Sequence, residues 1–204
     1  MPDTPTPPDH YFSRDPASAT ERRTLTVRLA GRDVEVQSAP GVFSSGHVDL
    51  GTRVLLRTVA DDPLSGDVLD LGCGWGPLAL TMALTAPQAT VWAVDVNQRA
   101  LDLLRANADR LGLEGVRPVT PDQVPEEVMF TAIWSNPPIR IGKDALHALL
   151  AQWLPRLTPD GVAHLVVQRH LGADSLHRWL NDVAGMPTTR RASAKGFRVL
   201  RVTR

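Results

Sequence analysis

Short apolar runs alternate with longer stretches of helical period over most of the chain. Residues 68–71, 90–94, 116–119, 129–134 and 162–167 have the length and apolar character of buried strands. Between them, residues 77–86, 98–111, 144–157 and 174–183 carry the spacing of amphipathic or buried helices. In the second of these, Leu101, Leu104, Ala108 and Leu111 form one stripe. Residues 188–192 and 198–202 close the chain as two more strands. Strands that alternate with helices of this length predict a doubly wound α/β fold, a mostly parallel seven-stranded sheet covered on both faces. Upstream, residues 25–29 and 34–37 alternate in strand fashion around Ala30-Gly31-Arg32-Asp33, which predicts a hairpin. Residues 41–51 read as a loop, open to being an ordinary connector or a flap over a ligand. Asp49 is placed to cap a helix that runs to about Ala60 and buries Val54, Leu55 and Val59. Residues 1–8 contain four prolines and are expected to be extended or disordered. The expected division is an N-terminal extension over residues 1–45 and one domain over 46–204.

Composition narrows the class. Of 204 residues, 43% are hydrophobic and 22% charged, as in a soluble globular protein. No apolar run is long enough to span a bilayer, and the opening MPDTPTPPDH lacks the pattern of a secretion signal. A cytoplasmic location follows by default. The single cysteine excludes an intrachain disulfide and a zinc ribbon. The net charge is zero but unevenly spread. Residues 61–138 carry 4 basic and 11 acidic groups, whereas residues 139–204 carry 11 basic and 4 acidic. Such asymmetry fits a polyanionic partner, and it equally fits a solvated pair of strands.

The first chemical signal is Asp70-Leu71-Gly72-Cys73-Gly74-Trp75-Gly76-Pro77, where a strand turns into a helix. Ligands of open α/β sheets bind at the carboxyl ends of strands. The glycines at 72, 74 and 76 are tighter than the G-x-G-x-x-G of a dinucleotide loop, which disfavours a nicotinamide dehydrogenase. The acid at Asp70 would repel a phosphate and attract a cation. The second strand ends in Val94-Asp95-Val96-Asn97, where a carboxylate can accept both hydroxyls of a ribose. A ribose, a cationic tail and no phosphate describe S-adenosylmethionine. Candidate cofactor residues are Asp70, Gly72, Cys73, Gly74, Gly76, Asp95 and Val96. The loop, followed by an acid on the next strand, resembles that of class I S-adenosylmethionine-dependent methyltransferases. That resemblance implies a Rossmann-like methyltransferase sheet. It also implies that Asp122, after the third strand, meets the adenine amino group; a turn aspartate is the other reading.

The second signal is Ser135-Asn136-Pro137-Pro138-Ile139 after the fourth strand. Each proline stiffens its predecessor and lacks an N–H, so the segment offers mainly acceptors, among them the Asn136 side chain and the Pro137 carbonyl. Acceptors suit an exocyclic –NH2 on a planar ring. Pulling on its hydrogens favours a pyramidal nitrogen and stabilises charge that develops during attack. Asn136, Pro137, Pro138 and Ile139 are therefore the candidate catalytic residues, and Asn136 also borders the cofactor. The tetrapeptide resembles the motif of methyltransferases that act on adenine N6, cytosine N4, guanine N2 or protein glutamine amides. Methylation at a pyrimidine C5 would need a cysteine nucleophile near the fourth or fifth strand, and Cys73 lies in the glycine loop instead. His10, His47, His147, His164, His170 and His177 show no metal-ligand spacing, so no metal is expected.

Further stretches resemble one subgroup. They are His10-Tyr11-Phe12-Ser13, Gly41-Val42-Phe43-Ser44, Asp49-Leu50-Gly51-Thr52, Ile139-Arg140, Gly142-Lys143, Val167-Gln168 with Gly172, and Lys195-Gly196-Phe197-Arg198-Val199. Together they are similar to ribosomal RNA guanine-N2 methyltransferases, in a short form without the second, degenerate domain of longer members. The resemblance implies methylation of a guanine N2 in small-subunit rRNA, with rRNA or the small subunit as partner. Ile139 would pack on the base, and Arg140, Lys143, Arg169, Lys195 and Arg198 would face RNA phosphates. Many relatives carry an aromatic where this chain has Ile139, an aliphatic side chain that can sandwich a base with less stacking energy. Adenine N6, a protein glutamine amide, or a cofactor-binding assembly factor without chemistry remain the alternatives.

Overall fold

The computed structural model describes residues 22–204. The proline-rich start and His10-Tyr11-Phe12-Ser13 lie outside the described residues. Two strands, β1 (Arg23–Leu29) and β2 (Arg32–Ser38), pair antiparallel. The turn between them is Ala30-Gly31, both with positive φ (48° and 76°), shorter than the four residues expected. Two left-handed residues in succession give the twist that a two-residue hairpin needs. Val27, Leu29, Val34 and Val36 face inward from the ribbon and join the main hydrophobic core.

The remaining elements alternate. They are α1 (Leu50–Thr58), β3 (Asp67–Leu71), α2 (Pro77–Thr85), β4 (Thr90–Val94), α3 (Gln98–Arg110), β5 (Val116–Val119), β6 (Phe130–Ser135), α4 (Lys143–Trp153), β7 (Leu157–Gln168), α5 (Ala173–Asp182), β8 (Thr188–Ala194) and β9 (Phe197–Thr203). The seven-stranded sheet has the order β5-β4-β3-β6-β7-β9-β8. Every pair from β5 to β7 is parallel, and β9 runs antiparallel between β7 and β8. The expected doubly wound, mostly parallel sheet with a small hairpin is therefore the fold.

Period-two alternation sorts the strand residues between two cores. Val68, Val91, Ala93 and Trp134 pack with α1, α2 and α3, whereas Leu69, Leu71, Val94, Ile133 and Leu165 pack with α4 and α5. Asp70 falls in the first set by register, so it points under α2 and is fully buried.

Two boundaries differ from expectation by more than two residues. Helix α4 ends at Trp153 and passes into a 3-10 turn, Leu154–Arg156, because Pro155 cannot donate to the helical ladder. Strand β7 begins at Leu157, five residues before the apolar run. Leu157 pairs with Phe130 and Val162 with Ala132, so the polar stretch 158–161 is an irregularity inside the strand. Among the described residues, no helix is long and apolar enough to cross a membrane.

Candidate active site

Strand order reverses beside β3, and the carboxyl ends of β3, β4 and β6 open on a cleft of about 440 Å³. Its wall includes Gly72, Gly74, Asp95, Val96, Asn136, Pro137, Pro138, Ile139 and Arg140.

The glycine loop is pinned to β4: Gly72 N–H and Cys73 N–H both donate to the Val94 carbonyl, at 2.8 and 3.0 Å. Gly72 and Gly74 have positive φ (79° and 54°), and a Cβ on either would meet nothing within 4 Å. Their missing side chains therefore leave open space toward the cleft, where a ligand can come against backbone. Asp95 completes this half. Its Oδ2 accepts from Gly74 N–H at 2.9 Å and its Oδ1 from Asn97 N–H at 2.9 Å. Burial raises its pKa, against these backbone donors. The carboxylate holds the loop and faces the cleft with its remaining lone pairs, so the residues present fit a ribose beside the glycines.

Gly76 serves another purpose. With φ at 101°, it caps α2, and a Cβ there would lie 2.1 Å from Leu104 Cδ1. Gly76→Ala is expected to destabilise the fold by about 2–4 kcal/mol, through left-handed strain and overpacking together. Urea denaturation checks this, and Gly72→Ala, which meets no atom, should cost only about 1 kcal/mol. Asp70 and Cys73 also stand behind the loop rather than on the wall. Asp70 Oδ2 accepts from Ala79 N–H at 2.9 Å, and its buried Oδ1 has no hydrogen-bond partner among the described residues. Burial pushes its pKa up to about 8; the Ala79 bond opposes this and the charge of Asp95 adds to it. Cys73 is buried, and burial likewise raises its thiol well above its ordinary value, which disfavours the thiolate that a nucleophile needs.

The other half of the cleft is the corner after β6. Ser135 Oγ donates to the Leu71 carbonyl at 2.6 Å and fastens this strand end to β3. The Pro137 carbonyl accepts from Ile139 N–H at 2.8 Å, so one of its two lone pairs is already used. The Asn136 amide nitrogen donates to Asp49 Oδ2 at 2.9 Å and to Thr52 Oγ1 at 3.1 Å. No bond to Asn136 Oδ1 occurs among the described residues.

The remaining expected residues divide. Arg140 lies on the cleft. Arg169 and the Lys195-Gly196 turn meet at one sheet edge, where Arg169 N–H donates to the Gly196 carbonyl at 2.8 Å. Arg198 is largely buried in an ion pair with Asp174 of α5, which takes it from the free cations. Lys143 opens α4, off the cleft wall. Asp122 lies in the exposed 3-10 turn Pro121–Gln123, and its neighbour Pro121 is the residue that lines the cleft. Asp49, Phe43, Gln168, Leu171 and Phe197 also line it and were not read as site residues from sequence. Several of them stood in the stretches that carried the family resemblance. The loop bearing Phe43 is fastened by Trp75 Nε1 to the Ser44 carbonyl (3.2 Å) and by Asn97 Nδ2 to the Gly41 carbonyl (2.9 Å). Among the described residues, no group of three or more His, Cys, Asp or Glu is placed to hold a metal ion.

The profile of the methyltransferase small domain family matches residues 33–201. The chain belongs to this family. It is 35% identical to the uncharacterized protein YbxB of Bacillus subtilis (strain 168), over 86% of this chain and 89% of that one. It is 34% identical to ribosomal RNA small subunit methyltransferase C of Pseudomonas entomophila, over 96% of this chain and 58% of the other. It thus spans less than two thirds of that longer relative. Among solved structures, the T. thermophilus 16S rRNA N2 methyltransferase RsmC, in complex with AdoMet and guanosine, matches at a TM-score of 0.76 and 25% identity. That match covers 90% of this chain and 50% of RsmC. The cleft lies at the switch in strand order, where open α/β sheets bind their ligands.

Proposed function

We propose that this methyltransferase transfers the methyl group of S-adenosylmethionine to the exocyclic N2 amine of a guanine in small-subunit ribosomal RNA. The observation that carries the reading is the orientation of Asn136. Its nitrogen is taken by Asp49 and Thr52, so its oxygen is left as an acceptor beside Gly72, Gly74 and Asp95. The relatives named as small-subunit rRNA methyltransferases, and the likeness to a structure holding AdoMet and guanosine, support the substrate.

When bound, S-adenosylmethionine supplies a methyl group made electrophilic by its sulfonium. The chain's own part is positioning and electrostatics. Gly72 and Gly74 let the donor lie against backbone, and Asp95 accepts hydroxyl hydrogens. Asn136 Oδ1 accepts one amine hydrogen and draws the nitrogen lone pair out of conjugation with the ring. As the nitrogen becomes positive, the same oxygen stabilises the charge. The surplus proton then passes to water. Ile139 offers an aliphatic face to the base, and Phe43 and Phe197 bring aromatic rings to the same cleft. Arg140, Lys143, Arg169 and Lys195 are the cations for RNA phosphates, in cytoplasmic ribosome maturation.

Mass analysis of nucleosides from the small-subunit rRNA of a deletion strain tests the proposal. We expect one N2-methylguanosine to disappear and to return with the wild-type gene. An unchanged rRNA profile with loss of a methylated glutamine in a protein would overturn the substrate and keep the reaction.

A further inference from the structure

We propose that Asp49 and Thr52, in the first turn of α1, are positioning residues that hold the Asn136 amide with its oxygen toward the substrate amine. The inference rests on the role given to Asn136 above and extends it to residues 87 and 84 positions away in sequence.

A primary amide has two faces of nearly equal shape. Rotated by half a turn, Asn136 would present –NH2 where an acceptor is needed, and it would repel the substrate amine. Asp49 removes that freedom. Asp49 Oδ2 accepts from two backbone N–H groups and so offers only lone pairs here, and the amide atom it meets at 2.9 Å must be the nitrogen. Thr52 Oγ1 takes the second hydrogen of the same –NH2 at 3.1 Å.

Asp49 is itself immobilised. As the N-cap of α1, its Oδ2 accepts from Gly51 N–H at 2.7 Å and from Thr52 N–H at 3.2 Å. Gly51 makes the arrangement fit. A Cβ there would stand 2.8 Å from Phe197 Cε1 and 3.0 Å from Asp49 Oδ2, so even alanine would push on the clamp. Buried Leu55 and Val54 then seat α1 in the core that includes Val166 of β7 and Val199 of β9. Capping α1 would need only Asp49 and backbone. The two contacts to Asn136 are extra, and they end on the atom whose orientation decides what the cleft presents.

The test is a cycle of substitutions, read as single-turnover methyl transfer from labelled S-adenosylmethionine to unmodified small-subunit rRNA, free and assembled with its proteins. Serine caps a helix as well as aspartate but is too short to reach Asn136. Asp49→Ser should therefore lower the rate about 10- to 100-fold, with the cofactor Kd held within about threefold. Asp49→Asn, which keeps a carbonyl at that length, should restore most of the rate. In an Asn136→Ala background, Asp49→Ser should cost less than about twofold, because its effect runs through a side chain already gone. A full rate in Asp49→Ser, or an equal loss in both backgrounds, would overturn the clamp while leaving the role of Asn136 intact. A full rate in Asn136→Ala would overturn that role, and the clamp with it. Should Asp49→Ser fail to fold, Thr52→Val carries the same cycle with an expected loss of about 3- to 10-fold.

Discussion

Asn136→Ala is expected to slow methyl transfer about 10²- to 10³-fold while the cofactor Kd stays within about threefold. The size follows from the role proposed for the amide oxygen. The nitrogen of an aryl amine shares its lone pair with the ring and is a poor nucleophile. A fixed acceptor on its hydrogen counts most at the transition state, when the nitrogen has become pyramidal and positive. In the ground state the same bond is an ordinary one, so substrate binding should change less than the rate. Folding should suffer little. Asp49 loses one of three donors and keeps those of Gly51 and Thr52, a cost of about 1 kcal/mol. Single-turnover kinetics with a parallel urea titration separate the two effects. A variant that folds, binds cofactor and keeps the wild-type rate would remove Asn136 from the reaction.

The second large effect is on stability as pH changes. The unfolded Asp70 titrates near the ordinary value of about 3.9, and the folded one is pushed up to about 8 by burial. Between these values the folded protein holds a proton that the unfolded chain has released. Stability therefore falls as pH rises across this window, by about 1.4 kcal/mol per unit, and reaches several kcal/mol by its upper end. Asp95 is shifted in the same direction. His164 acts the other way. Burial lowers its pKa to about 4 despite the Asp62 carboxylate 3.6 Å away, so it contributes stability that is lost as pH falls from about 6.5 toward 4. The difference between wild type and Asp70→Asn cancels His164 and isolates Asp70. Asparagine can still accept the Ala79 N–H and carries no charge. Urea denaturation from pH 5 to 8 should show the variant gaining on the wild type with each unit. Parallel curves would mean that Asp70 does not titrate in this range.

The sheet was legible because its strands are apolar and bounded by glycine, proline or a polar cap; residues 90–94 and 116–119 match β4 and β5 to the residue. The start of β7 was not. Thr158-Pro159-Asp160-Gly161 has the composition of a turn, and only pairing of Leu157 with Phe130 draws it into the strand. The site was legible in halves. Gly72, Gly74 and Asp95, and Asn136 to Ile139, announce themselves because each is a short run at the end of one strand. Asp70 and Gly76 belong to the same run by sequence and face away from the cleft, since one strand register buries the first and Leu104 packs against the second. Arg198 of β9, a free cation by sequence, is taken by Asp174 of α5.

From residue order alone came the alternation of strands and helices, the two loops that bear chemistry, and the acids and prolines within them, because each is a local property of a few neighbouring residues. The fold alone decided that Asp49 and Thr52 reach Asn136, and therefore which end of its amide meets the cleft. Such a contact has no local signature. It exists only when α1 is seated on β7 and β9 with its first turn beside the residue that follows β6, and the direction of a hydrogen bond is set by the partner that packing brings.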